Sequence, residues 1–290
     1  MRIISPYAEV PGGVWLRGNL HTHTRLSDGY ASPQETVNAY AALRHDFLAL
    51  SDHDQAPDHA GLDPRGLVLV PASEVSAGGP HLVAVGCAGR IEPDPDRQKV
   101  IAAINSAGGA AVLCHPNWGR DFNHFPCEDL ARLADYAGVE VFNGSIIEDP
   151  GSPLASDKWD RLLSAGRRVW GLATDDLHFE IQRGRGWCAV RAAARTAAAV
   201  LEALRLGNFY ASSGVSIASI ALRGAELRVV APDAEGIAVI GKSGARLAWI
   251  EGHQLVWNAA GCPGPYFRVE CYGRAGTMAW SQPFFIIAPD

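Results

Sequence analysis

No run of lysines or arginines occurs anywhere in this chain of 290 residues, and its formal net charge is −6. Binders of long nucleic acid or of membrane surfaces need a basic face, so both classes are disfavoured, while a small anionic ligand is not. No stretch reaches the roughly 18 apolar residues that cross a bilayer. The opening MRIISPYAEVPGGVW lacks the continuous apolar segment of a signal peptide. A soluble, cytoplasmic protein is the expectation. C-x-x-C pairs are missing too, since Cys87, Cys114, Cys127, Cys188, Cys262 and Cys271 are scattered. A chain of this length with no export signal has no need of a disulfide framework, so they read as free thiols, mostly core packing. Internal repeats and low-complexity tracts are also absent.

What is there is a 48% hydrophobic chain, enough to bury a substantial core. From residue 14 to about 210, short apolar runs alternate with helical patterns, the rhythm of a parallel β/α fold. VWLRGNLHT, DFLALSDHD, GLVLVPASE, HLVAVG, AAVLCHP, GVEVFNG, RRVWGLATDD and GWCAVRA read as strands. SPQETVNAYAALR reads as a helix with Ser32 at the N-cap, Pro33 in the first turn and Glu35 closing a capping box. Four further helices are expected in DRQKVIAAINSAG, CEDLARLADY, SDKWDRLLSAG and TAAAVLEALRLG. After residue 213 only strand-like segments follow, separated by Gly, Pro or Asn turns. The division expected is a β/α barrel over 1–213 and a small, all-β, sandwich-like domain over 214–290.

Candidate ligands fall at the ends of the inferred strands. His21 and His23 close the first, at a spacing that points both rings to one face of a strand, with Asp28 just beyond. His53 and Asp54 close the second and Glu74 the third, with His81 seven residues later; His115, Asn143, and then Asp175, Asp176 and His178 close later ones. In a β/α barrel the carboxyl ends of the strands open on one face, so these residues converge on one mouth. Taken singly, Asp54, Asp121 and Asp149 read as cap or turn residues, and His45, His59, His124 and His253 as solvated or hydrogen-bonded loop histidines. Taken jointly, six histidines and three carboxylates point to metal. A donor set of imidazole nitrogen and carboxylate oxygen without thiolate suits zinc, manganese or iron. Nine ligands exceed the needs of one ion, so two or three divalent ions are expected, with a bridging carboxylate and a shared, deprotonated water.

HTHTRLSDG, SDHD, SEVS, CHP and DDLH, in that order between residues 19 and 178, resemble the motifs of the PHP family, the metal-dependent phosphoesterases named for polymerase and histidinol phosphatase. The resemblance implies a distorted seven-stranded (β/α)7 barrel with a trinuclear centre. It implies a first ion on His21, His23, Glu74 and Asp176, a second on Glu74, His81 and His115, and a third on Asp28, His53 and His178. Position 28 is aspartate where the family often has histidine. FYASSG and AWSQPFFI also resemble a subgroup that carries a terminal β domain and includes carbamate-ester hydrolases.

The expected activity is hydrolysis of a small phosphate ester by a hydroxide bridging two ions, with His178 or Asp176 steering the proton. The alternatives are a carboxylic or carbamate ester hydrolase with the same centre, and a non-catalytic module holding structural metal. Arg120, Arg183 and Arg185, in loops beside the mouth, are candidates to hold phosphate bidentately, and Asn143 to donate to substrate. Asp54 and Asp175, next to ligands, are expected to orient imidazoles.

Overall fold

A computed structural model describes every residue except 1, 8, 9, 11, 12, 57 and 288–290. The first part of the chain runs β1 (Arg2–Ile4), β2 (Val14–Asn19), α1 (Pro33–Ala42), β3 (Phe47–Leu50), β4 (Val68–Val75), β5 (Leu82–Val85), α2 (Arg97–Ser106) and β6 (Ala110–Leu113). It continues with α3 (Cys127–Arg132), β7 (Gly138–Asn143), α4 (Ser156–Ser164), β8 (Trp170–Thr174), β9 (Trp187–Ala192), α5 (Ala197–Leu206) and β10 (Phe209–Ser212). Strands follow: β11 (Ser219–Arg223), β12 (Glu226–Val230), β13 (Ala234–Ile240), β14 (Arg246–Glu251), β15 (Gln254–Asn258), β16 (Tyr266–Gly273), β17 (Met278–Ser281) and β18 (Phe284–Ile287).

The expected helices form. Ser32 caps α1 with Glu35 completing the capping box, Asp96 and Thr196 cap α2 and α5, and α5 ends at Gly207 in the left-handed conformation. CEDLARLADY is helical only over Cys127–Arg132. FLAL, LVAV and AAVL, the whole of β3, β5 and β6, are buried along their length, as strands covered on both faces must be.

Strands β2 to β8 are hydrogen-bonded in sequence order, and β8 returns beside β9 and β10, which curls the sheet into a distorted seven-stranded α/β barrel. The β2–β3, β3–β4, β6–β7 and β7–β8 pairs are parallel. β5 is the exception, antiparallel to both neighbours. That reversal brings the start of β5, rather than its end, to the mouth of the barrel, and His81 immediately precedes it. Of the later strands, β11, β12 and β15 form a separate antiparallel sheet. β13, β16 and β17 instead extend the barrel sheet through an antiparallel β10–β17 pair, and β18 pairs with β1. Residues 1–213 and 214–290 stand as proposed units, divided by sequence rhythm rather than by a break in the sheet.

Helix α4 joins the two parts through consecutive buried residues. Lys158 Nζ donates to the carbonyl oxygens of Pro116, Phe122 and Phe125 at 2.8, 2.8 and 2.6 Å, pinning the loop after β6. Asp160 receives two hydrogen bonds from the Arg268 guanidinium on β16, at 2.8 and 2.7 Å, and Arg268 also donates to Glu270 at 2.6 Å. A second joint is Gln282, whose side-chain amide pairs with both backbone polar atoms of Gly171 on β8 at 2.8 and 2.7 Å. All six cysteines are free thiols. Among the described residues no helix is long and apolar enough to cross a membrane.

Candidate metal centre

The carboxylate of Glu74, at the end of β4, is the hub. It lies 3.3 Å from His21 Nε2, 3.3 Å from His23 Nε2, 2.9 Å from His53 Nδ1, 3.0 Å from His81 Nδ1 and 3.3 Å from His115 Nε2. Asp176 Oδ1 lies 3.2 Å from both His21 Nε2 and His23 Nε2. At the outer edge, Asp28 Oδ2 sits 3.4 Å from His53 Nε2 and 3.4 Å from His178 Nε2. All nine expected ligands therefore meet at one mouth. Their donor atoms fall into overlapping groups within 4.8 Å, among them His21, His23 and Asp176; His53, Glu74 and His81; and His23, Asp28, His53 and His178.

The local backbone is bent to deliver them. His115 and Asp176 have φ of 31° and 50°, in the left-handed region that costs a non-glycine residue about 1–3 kcal/mol and that clusters at functional sites. In the SDG turn, a Cβ on Gly29 would stand 2.3 Å from the His23 carbonyl oxygen, so only glycine lets the loop close under that imidazole.

Around the donors is a set of side chains that orient them. Glu140, buried inside β7, accepts from His21 Nδ1 at 2.8 Å, Thr174 Oγ1 at 2.7 Å, the His115 N–H at 2.7 Å and Asn143 Nδ2 at 2.8 Å. Asp176 Oδ2 accepts from Asn143 and Ser145, which leaves Oδ1 facing the imidazoles. His178 Nδ1 lies 2.8 Å from the Asp176 carbonyl oxygen; donating there, it presents its lone pair at Nε2. Asp52 holds the HTHTRLSDG loop, accepting from the Thr24 N–H and Oγ1 and from Ser27 Oγ. His124 Nε2 accepts the backbone N–H of His81 at 2.9 Å.

Several expectations change here. Asp54 bonds Ser76 and Ala77, shaping the loop after β4 instead of orienting an imidazole. Asp175 faces away from the imidazoles and accepts from Tyr40 Oη, Gly184 N and Gly186 N, pinning the loop between the two glycines. Asn143 is buried and bridges Glu140 to Asp176 rather than reaching toward substrate. Arg120 is exposed on its loop, Arg183 approaches Tyr30 Oη and Glu180, and Arg185 pairs with Glu148 at 2.5 Å. None of these three arginines lines the cavity, because neighbouring carboxylates or solvent take their charge. Glu140, Asp52 and His124 were not anticipated. An acidic residue inside the apolar run GVEVF was the one available signal for Glu140.

Charge in the cluster is tightly coupled. Burial opposes the charge on Glu74, yet the His21 charge and hydrogen bonds from His115, His21 and His23 outweigh it and hold the carboxyl well below its usual range. Burial also opposes protonation of His53 and His178, but bonds to Asp28, joined by Glu74 and Asp176 respectively, push them up to about 10 and about 9. Asp175, away from the imidazoles, is raised by burial to about 6 despite its hydrogen bonds. Asp176 Oδ1 and His53 Nδ1 are buried with no well-angled hydrogen bond despite their short ion-pair distances, and His115 Nδ1 is buried with no hydrogen bond. Orphaned lone pairs among carboxylates that attract positive charge are what divalent ions require, so the residues fit such a group.

The cluster forms the floor of a cavity of about 480 Å³. Its walls include Trp118, Ser145, Ile146, Glu148, Asp149 and Phe179.

No protein-family model matches this sequence, and neither does any curated protein. Among solved structures, a two-domain protein from Bacteroides vulgatus containing a predicted PHP-like metal-dependent phosphoesterase is 16% identical with a TM-score of 0.55, over 99% of this chain and 91% of that one. A protein from Bifidobacterium adolescentis proposed to be a metal-dependent phosphoesterase is 18% identical with a TM-score of 0.43, over 56% of this chain and 88% of its own. An amidohydrolase from Chromobacterium violaceum with bound sulfate and no metal is 18% identical with a TM-score of 0.40, over 56% of this chain and 87% of its own.

Proposed function

The fold is that of a PHP-like protein with a second, β-rich part, and from it we propose that this chain is a metal-dependent hydrolase acting on a small phosphate ester. The observation that carries the reading is Glu74, a buried carboxylate within 3.3 Å of five imidazoles at the floor of an open cavity. His21, His23, Glu74 and Asp176 would hold one ion, Glu74, His81 and His115 a second, and Asp28, His53 and His178 a third. Bound there, divalent ions of zinc, manganese or iron would supply Lewis acidity and a water of lowered pKa.

The chain's own residues position the donors. Glu140 fixes His21 and the His115 backbone, and Asn143 with Ser145 fixes Asp176. His178, held at Nδ1 by a backbone carbonyl, presents the lone pair of Nε2 at the cavity wall, where it would serve the third ion. Trp118, Ile146 and Phe179 give one side of the cavity an apolar surface.

One observation favours a second reading, a carboxylic or carbamate ester with the same centre: none of the described residues lining the cavity is lysine or arginine. The test is metal analysis of the purified protein followed by side-by-side assay of an aryl phosphate and an aryl acetate with zinc, manganese or iron(II) added. Metal-dependent turnover of the phosphate alone supports the first reading, turnover of the acetate alone the second. Retained metal without turnover of any ester would leave a binding module.

A further inference from the structure

Resting on the hydrolase reading of this site, we infer that the leaving group of the substrate is apolar, carries no second anion, and is favoured when it ends in a cation. Beyond the donor atoms, the cavity lining has three features that point the same way. Trp118, Ile146 and Phe179 give it an apolar surface, and Phe179 together with the neighbouring Ile147 remains 62% and 51% exposed at the rim. Exposed side chains of that size on the edge of a cavity are surface that an apolar ligand would cover.

The second feature is acidic. Glu148 and Asp149 line the same wall. Glu148 is held by Arg185, whereas Asp149 is exposed and, among the described residues, has no cationic partner. The third is the lack of any lysine or arginine among the described lining residues, which leaves a distal phosphate or carboxylate without a counter-charge and facing two carboxylates. A reacting phosphoryl group would depend on the ions at the floor; beyond it the lining is apolar, acidic or, at Ser145 and Gln182, neutral.

The inference predicts an order of affinity among matched ligands, independent of turnover. Three phenylphosphonates, para-substituted with aminomethyl, methyl or carboxymethyl, are titrated calorimetrically into the manganese-loaded protein. The aminomethyl ligand should bind about fivefold tighter than the methyl one and the carboxymethyl ligand at least as much weaker, the scale of a partly solvated ion pair. Asp149→Asn and Glu148→Gln should each shrink the aminomethyl-to-methyl ratio, the first by removing an unpaired carboxylate and the second by leaving the Arg185 cation uncompensated beside the wall; circular dichroism confirms that both variants are folded. Equal affinities, a reversed order, or a ratio unchanged in both variants would overturn the inference. The expected order without turnover of the matched phenyl phosphates and phenyl acetates would keep the wall's preference for an apolar, cation-tipped ligand and sink the hydrolase reading. Turnover with a flat order would do the opposite.

Discussion

Replacing Glu140 by Gln changes one atom of a buried side chain that touches no cavity, yet it should weaken metal binding. Oε1 accepts from His21 Nδ1 at 2.8 Å and Thr174 at 2.7 Å; Oε2 accepts from the His115 N–H at 2.7 Å and Asn143 at 2.8 Å. A glutamine has one acceptor oxygen, so its NH2 must face one of those donor pairs. The His115 N–H is backbone and cannot turn, whereas Thr174 can rotate and the imidazole can change tautomer. The NH2 therefore goes to His21, which moves its proton from Nδ1 to Nε2, the atom that lies 3.3 Å from Glu74 and 3.2 Å from Asp176. A proton there blocks the lone pair a metal needs. Loss of an orienting carboxylate of this kind costs roughly 10–100-fold in metal affinity. Competitive titration of zinc against a chromogenic chelator measures it, with thermal unfolding to show that Glu140→Gln is folded. A folded Glu140→Gln protein with the affinity and stoichiometry of the parent would refute the tautomer argument.

Asp28→Asn keeps the turn chemistry of SDG and removes the charge that Asp28 Oδ2 sets against His53 and His178, so one ion per chain and much of the ester turnover should be lost; full occupancy with undiminished turnover would leave Asp28 as a turn residue. In the ion-free protein His53 and His178 are raised from 6.5 to about 10 and about 9, so their stabilising charge is complete below pH 6.5 and is lost as pH rises through 9 and then 10. Metal must displace those protons, so loading at pH 7 should release about two or more per chain, read by calorimetry in buffers of different ionisation heat; release of none would contradict the charge state. Arg268→Met strands Asp160 and Glu270 without their cation, a loss of about 3–5 kcal/mol and a fall in Tm of about 10 °C. An unchanged Tm would show that the joint between α4 and β16 adds little.

The barrel rhythm and the nine converging donors were legible because both depend on local pattern: apolar runs of strand length, and polar residues at their ends. His81 was found by spacing, but its geometry depends on the reversal of β5, a pairing with no local signature. Glu140 lies within an apolar run whose reading as a buried strand was right, and which therefore gave no reason to expect four donors around one carboxylate. His124 looked like any loop histidine until the chain brought it against the His81 backbone. The arginines failed for the opposite reason: their loops were placed near the mouth, but Glu148 and Glu180, which engage Arg185 and Arg183, are visible as partners only in three dimensions. The strands after 213 were legible as segments, except that MAWSQPFFIIA divides into β17 and β18, whereas the β10–β17 pair that fuses them to the barrel is a long-range contact.

Three successive residues of α4 have a dynamic consequence. Lys158 grips the loop that runs from His115 to His124, Trp159 is fully buried in the core and Asp160 is clamped by Arg268. The loop cannot swing outward without freeing Lys158, and α4 cannot follow it without breaking both hydrogen bonds between Arg268 and Asp160. Opening at the metal centre and opening at β16 thus belong to one cooperative unit, and slow hydrogen exchange should rise and fall together at both places. A strand that contributes no donor atom in this way sets how often the donors come apart.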